Sequence, residues 1–374
     1  MARYTIIEAT SRRDIMDFVK FAEDLYKDCP QYVPALRSDQ YRSLTSCASA
    51  RYCEHRLWLV RDSDGKTVGR ICAMINPRYN EIYGKKRARF GWFDTIDDPD
   101  VAKLLLTTAE AWAKSMGMNE IHGPLYYNTL GKQGMLIEGF DNTPVFNTLY
   151  NYPYYPRLIE NLGYTKECDW IEHRMAADQP LPEKIYRIAD MLMSRHHLHE
   201  GSISRLKKDP ERIKSFFQAY NESFFGAVHN FIPFTEEEIK EEAAAFIPYL
   251  KDDNCCIILD ENEELAAFSI TVPDLSEALK KAKGRLFPTG WFHILMALRK
   301  YETMDLLLNG AVPKWQNTGI SALFHVAMSR KYKALGTKWA LSNPQIETNS
   351  AINVWSSYGD ASQYMRRRCY IKEI

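Results

Sequence analysis

Residues 311–321 read Ala-Val-Pro-Lys-Trp-Gln-Asn-Thr-Gly-Ile-Ser and follow the apolar run Met-Asp-Leu-Leu-Leu at 304–308. A strand that turns directly into a helix presents the unpaired N–H groups of the first helical turn and the positive end of the helix dipole. That combination suits an anion, above all a phosphate. Gly319 lets the main chain approach a phosphate oxygen closely, Pro313 stiffens the exit from the strand, and the small Ser321 keeps the helix entrance open. Gln316 adds a side-chain amide donor. The expected contacts to a pyrophosphate are therefore Ala311, Val312, Gln316, Asn317, Thr318, Gly319, Ile320 and Ser321. Asn317 and Thr318 are uncharged, so the loop depends on main-chain donors more than on a cation. In the strand leading into it, Asp305 is a candidate proton acceptor, with water as the alternative.

Other chemically suggestive groupings are thinner. His196 and His199 share one helical face, but Arg195 adjoins them and no carboxylate or cysteine stands at ligand spacing, so no metal is expected. Four acids among residues 94–100 would repel a phosphate. Asp97 or Asp98 reads instead as the cap of a following helix. Tyr150, Tyr152, Tyr154 and Tyr155 close a long glycine-punctuated stretch that begins near residue 123. Irregular, aromatic segments of that length are where ligands tend to be held. These four tyrosines, with Trp291 in the apolar run 291–298, are the expected substrate contacts, although an internal packing surface would also use them.

The elements that must position these groups occur twice in the same order. Hairpin signals at 57–75 and 256–272 each end in a proline, at 77 and 273. A strand, a helix, a closing glycine and a second strand follow, over 90–93, 99–116, Gly117 and 121 onward in the first half. The second half repeats them over 304–308, 319–335, Gly336 and 339–342. Each half then ends in a tyrosine-bearing helix, Gly163 or Gly359, and a last strand. The pattern predicts an α/β protein of α+β character with mixed sheets, in two domains, 1–178 and 183–374, divided by the proline-containing stretch 176–182.

Composition narrows the function class. The 48 basic residues balance the 48 acidic ones, so no global field favours nucleic acid. The cysteines, eight in number and with no CxxC pair, suggest reduced thiols and a cytoplasmic setting. No apolar run approaches the ~20 residues that a spanning helix requires. The segment 291–298, followed by Arg299 and Lys300, reads as a core helix or as a surface for a lipid chain or for peripheral contact with the inner membrane face.

Gln316, Gly319 and Ser321 fill the positions of the Q/R-x-x-G-x-G/A motif, and the segment resembles motif A of the GNAT superfamily of N-acyltransferases. Serine replaces the usual last small residue, and a downstream Glu347-Thr-Asn349 follows in the expected order. The resemblance implies two tandem GNAT-like domains, the first without a pyrophosphate loop. It also implies acyl-CoA or an acyl-carrier protein as donor, an amine or lipid acceptor, and no metal. Asn349 would join the donor site and Tyr358 would act as general acid to the leaving thiolate, two residues beyond the usual position. Arg366, Arg367 and Arg368 would either meet the adenosine 3′-phosphate or form a charged surface. Segments such as Tyr32-Val-Pro, Phe90-Gly-Trp-Phe93 and Tyr150-Asn-Tyr-Pro extend the likeness to a bacterial group of long GNAT-like proteins that includes the ceramide synthases. Direct attack of an amine on acyl-CoA, with a sphingoid base as one acceptor, is the implied reaction. The rival readings are a non-catalytic acyl-CoA or lipid binder with an eroded loop and an aminoacyl or peptidyl transfer enzyme.

Overall fold

The computed structural model describes residues 3–226, 228–348 and 361–374. The chain forms two compact units. The first comprises Met1–Ile171, Leu275–Met296 and Met365–Ile374, and the second Glu172–Asp274 and Ala297–Tyr364.

The chain runs β1 (Tyr4–Glu8), α1 (Arg12–Leu25), α2 (Arg37–Thr45), α3 (Ala48–Tyr52), β2 (Glu54–Asp62), β3 (Thr67–Ile75), α4 (Pro77–Tyr83) and β4 (Arg87–Thr95). It continues through α5 (Pro99–Ser115), β5 (Glu120–Gly123), β6 (Met135–Glu138), α6 (Tyr155–Glu160) and β7 (Thr165–Ala176). Then come α7 (Glu183–His196), β8 (His199–Glu200), α8 (Ile203–Leu206), α9 (Pro210–Phe224), α10 (Glu236–Phe246), β9 (Cys255–Leu259) and β10 (Leu265–Pro273). The last described elements are α11 (Ser276–Ala282), α12 (Gly290–Ala297), β11 (Thr303–Ala311), α13 (Ser321–Leu335), β12 (Trp339–Ser342), β13 (Gln345–Ile346) and β14 (Ser362–Glu373).

In the first unit the strands lie in the order β1-β2-β3-β4-β5-β14. Every pair is antiparallel except β4–β5. A parallel pair cannot be closed by a tight turn, and α5 supplies the crossover. Val101, Leu105, Ala109 and Ala113, each four residues apart, are buried along its inner face. Asp98 begins the helix by accepting from the Asp100 amide, and Gly117, at φ 80°, follows its end. The second unit repeats the plan as β12-β11-β10-β9-β8, with Glu172–Ala176 of β7 beside β12. Here β11–β12 is the parallel pair and α13 the crossover. Its inner face, Ala322, Leu323, Ala327 and Met328, packs into a core with Met304, Leu306 and Ala340 of the sheet. The tyrosine-bearing helix expected before Gly359 lies outside the described residues.

The core-helix reading of the apolar segment is corrected. Trp291, Phe292, Leu295 and Met296 of α12 are exposed, and Gly290 is its one buried residue. The reading of Arg366–Arg368 as a charged surface is also revised. Arg366 and Arg368 both bind the fully buried carboxylate of Asp169, at 2.7 and 2.8 Å. Arg367, itself fully buried, donates to the Leu149 carbonyl and to Thr148 Oγ1. Burial alone would raise the Asp169 pKa, but the hydrogen bonds from Arg368 and Arg366 outweigh it and hold the carboxyl below its ordinary value. Removing one member of such a set strands the others. Asp169→Asn is expected to cost about 3 kcal/mol in urea unfolding at pH 7. The contribution is present above the ordinary carboxylate range and is lost as pH falls through the depressed folded-state value, so the gap between wild type and variant narrows in acid.

Candidate functional site

The parallel pairing of β11 with β12 stops at Leu306 opposite Ser342. At that point the Asn343 amide donates to the Leu306 carbonyl at 3.2 Å and its side-chain Nδ2 to the Leu307 carbonyl at 2.6 Å. Beyond this pin the β11–β12 pairing ends, and among the described residues 307–311 of β11 pair with β10 alone. On the β10 side Ile270 faces Leu308 while Thr271 faces Leu306, which leaves Leu307 as an extra, bulged residue. A bulge bends the strand and re-aims the residues beyond it.

The chain then enters the loop. Val312 still donates to the Ala266 carbonyl at 3.1 Å, and Pro313–Trp315 form one tight turn. Trp315 is buried in the core, whereas Asn317, Thr318 and Gly319 are exposed. Asn317, at φ 60°, and Gly319, at φ 86°, both occupy the left-handed region. Among the described residues, the amides of Trp315, Gln316 and Thr318 donate within the loop, while those of Asn317, Gly319, Ile320 and Ser321 take no protein acceptor. These four precede or begin α13, where the helix dipole is positive. Gln316 acts inward: its Nε2 donates to the carbonyls of Ala311 and Ser223, both at 3.0 Å. Of the expected donor-site residues, Ala311 to Ser321 are brought together by this loop, and Asn349 and Tyr358 lie outside the described residues.

The corresponding junction of the first unit, between β4 and α5, is already filled. Asp98 caps the helix and also accepts from Tyr4 and pairs with Arg3 at 3.0 Å. A carboxylate in that position takes the place an external anion would occupy.

Asp305 sits one residue before the last β11–β12 pair and is fully buried. Neither of its oxygens has a hydrogen-bond partner. Burial, then the charges of Asp274 and Glu172, push its pKa well above the ordinary carboxylate value. On the α13 side lies a cavity of about 220 Å³ lined by Met175, Leu181, Leu306, Met328 and Tyr332, with Ser269, Asn309 and His325 as polar members. The buried Asn309 Oδ1 has no partner, and burial depresses the His325 pKa to about 4, which keeps the imidazole neutral. None of these residues carries a local motif. They meet only because the bulge and the crossover place them together.

The expected substrate tyrosines belong to the first unit and form a stack with α1. Tyr26 stacks on Tyr32 at 4.6 Å, Tyr152 on Tyr154 at 5.6 Å and Tyr154 on Tyr155 at 4.9 Å. Their hydroxyls are committed within the fold: Tyr150 to the Phe140 carbonyl, Tyr154 to the Thr95 carbonyl and Tyr155 to Tyr26 and the Thr95 amide. Tyr150 lines a small cavity of about 40 Å³ with Tyr26, Tyr126, Lys132 and the Arg70–Asp94 ion pair, whose closest atoms are 2.6 Å apart. Burial, with Arg367 and Arg70 nearby, lowers the Lys132 ammonium to about 8. Trp291 stands apart from this stack in α12.

His122, Glu167 and Cys369 place possible ligand atoms within 4.8 Å of one another. His122 Nδ1 lies 2.9 Å from Glu167, whose other oxygen is held by Arg87 at 2.7 Å. Burial lowers the His122 pKa to about 4, with Arg89 and Arg87 adding to it against Glu167, so a further cation would meet two positive neighbours. The trio reads as part of an ion-paired core.

No protein-family model matches the chain. It is 30% identical to Protein YghO of Escherichia coli (strain K12) over an alignment of 380 positions that covers 97% of this chain and 94% of that protein. It is 24% identical to the bacterial ceramide synthase of Caulobacter vibrioides over 391 residues, covering 100% of this chain and 98% of that one. Among solved structures, a GCN5-related glucosamine N-acetyltransferase region of a fungal multi-domain β-N-acetylglucosaminidase aligns with a TM-score of 0.62 at 13% identity over all of this chain and 38% of that much longer one. A GCN5-related N-acetyltransferase from Sphaerobacter thermophilus aligns at 0.55 with 12% identity, over 100% of this chain and 96% of that one. A tandem GNAT protein from the clavulanic acid biosynthesis pathway does so at 0.55 with 10% identity, over 99% and 98%. The fold is thus that of the GNAT proteins, with two such domains in one chain. Within that superfamily the chain belongs to the bacterial tandem group that includes Protein YghO and resembles the bacterial ceramide synthases.

Asp305 gives this site a thermodynamic signature opposite to that of Asp169. Because its folded-state pKa lies above the unfolded one, the folded protein holds the extra proton, and stability declines as pH rises from the ordinary carboxylate range toward the folded value. Asp305→Asn removes this titration and is expected to stabilise the protein by about 1–3 kcal/mol at pH 7. The gain, read from unfolding midpoints, should shrink toward pH 4.

Proposed function

We propose that the protein is an N-acyltransferase whose second unit binds acyl-CoA along β11 and the loop at 312–320, and passes the acyl group to an amine. The observation that carries this reading is the set of four unpaired amides at Asn317, Gly319, Ile320 and Ser321, at the mouth of α13 and beyond a splayed, bulged strand. The pyrophosphate would take the amides, and the pantetheine arm would replace the missing strand partner along 307–311. The thioester would then lie near the splay, with a β11 main-chain N–H beside the bulge at Leu307 facing its carbonyl oxygen. The acceptor nitrogen attacks the carbonyl carbon, the C–S bond breaks, and the coenzyme thiolate takes a proton, with Tyr358 as the proposed donor. Asp305 is the proposed acceptor of the amine proton. Only its ionised form can do so, and the raised pKa makes that form a stronger base than a solvated carboxylate, so kcat should rise with pH as the form becomes populated.

A long-chain acyl donor and a sphingoid-type acceptor are supported by the full-length similarity to the bacterial ceramide synthase. Tyr150, Tyr152, Tyr154 and Tyr155 are a proposed set of substrate contacts within the first unit, supported by the place of Tyr150 in its cavity. An acyl-carrier protein would present the same pantetheine arm and is the alternative donor.

Titration calorimetry with acetyl-, myristoyl- and palmitoyl-CoA tests the reading. Binding is expected for at least one donor, with long chains preferred. It should be lost in Gly319→Trp, where φ is 86° and an added Cβ would already stand 3.3 Å from Ile188. Asp305→Asn should lower kcat about 100-fold or more while leaving donor affinity within twofold. If no acyl-CoA binds and Gly319→Trp behaves as wild type, the enzyme reading fails.

A further inference from the structure

The structure assigns a second role to the apolar segment of the first unit: we infer that residues 281–296 dock the protein on an anionic lipid bilayer. Phe287, Trp291 and Phe292 are 71, 46 and 50% exposed, and Leu286, Leu295 and Met296 are exposed beside them. Six large apolar side chains within eleven consecutive residues form a patch that a water-facing surface does not normally carry. Apolar residues occur around the whole of α12, not along one stripe, so a core groove would leave part of them uncovered. A bilayer interface accepts such a helix and favours tryptophan at the headgroup level.

Charge decides between a lipid surface and a neutral apolar partner. Lys281, Lys283 and Arg285, immediately before the patch, are exposed and have no acidic partner among the described residues. Glu277 is neutralised by Lys280 at 2.8 Å. The chain as a whole has zero formal net charge, so this local excess of cations is not a by-product of a basic protein. Cations beside exposed aromatic residues match a surface that is apolar inside and negative at its face.

The segment is held firmly enough to act as a wedge. Ser276 Oγ donates to the Pro144 carbonyl at 3.1 Å and Lys280 to Thr143 Oγ1 at 3.0 Å. The Arg37 amide donates to the Gly284 carbonyl at 2.9 Å. An added Cβ on Gly284 would collide with Glu23, at 2.2 Å, so the turn presses against α1. The patch is thus offered on a fixed support, not on a loose loop.

Bilayer docking does not depend on the acyl donor, and its test uses none. The full-length chain is floated with large vesicles of phosphatidylcholine alone or with 30 mol% phosphatidylglycerol, at about 0.1 and 0.5 M salt. Co-flotation with the anionic vesicles, weakened at high salt, is expected. The surface variant Phe287→Ala/Trp291→Ala should lower the partition coefficient at least tenfold. Lys281→Gln/Lys283→Gln/Arg285→Gln should lower it on the order of a hundredfold at low salt, about fivefold per charge. Near-ultraviolet circular dichroism and the unfolding midpoint confirm that each variant is folded. No flotation with anionic vesicles overturns the inference, as does flotation that both folded variants retain. A wild-type dimer that the aromatic variant dissociates, without vesicle binding, also overturns it and identifies the patch as a self-association surface.

Discussion

Two parallel strands cannot be joined by a tight turn, and each unit depends on that restriction. In both, a helix must carry the chain across one face of the sheet, and its first turn therefore lies at the sheet edge where the preceding strand ends. The same geometry has opposite chemical outcomes. In the first unit Asp98 satisfies the helix end from within, and Arg3 and Tyr4 fix the carboxylate in place. In the second unit the residue before α13 is Ile320, which offers no capping oxygen, and the donors face outward. The first helix end is closed by its own carboxylate, whereas the amides at the second are left open.

Charge is also used differently in the two units. The interior of the first holds ion pairs, Arg70 with Asp94, Arg87 with Glu167 and Glu120, and Asp169 with Arg366 and Arg368, beside a buried Arg89 whose hydrogen bonds go to main-chain carbonyls. The second keeps an isolated carboxyl at the apex of its splay, with two other acids near enough to raise its pKa further. Paired charges define a scaffold, whereas an unpaired buried acid is a cost that folding alone has no reason to retain.

Much of this was legible in the sequence because it is local. The hairpins, the crossover helices, and Gly117 and Gly336 past the helix ends all follow from residues a few positions apart. The loop was legible for the same reason. The bulge at Leu307, the pin at Asn343 and the company kept by Asp305 were not, since each depends on strand register across elements far apart in the chain. Gln316 shows how a donor can be evident and its use hidden. Its amide donor was evident, but the carbonyls it reaches, one of them at Ser223, are set by tertiary packing. Arg366 and Arg368 were misjudged because an alternating strand looks half-exposed until a buried partner such as Asp169 is known.

The brace at Gln316 has a consequence for energetics. A loop that must be ordered by its ligand surrenders part of the interaction energy to conformational entropy. Here the side chain joins both arms of the turn to α9, and Val312 remains hydrogen-bonded to β10, so the left-handed residues Asn317 and Gly319 are set before anything arrives. The recess is a mould cast during folding, and a visitor finds its shape already decided. Selectivity would then rest on what the rigid contour refuses, more than on what a pliable loop can be persuaded to fit.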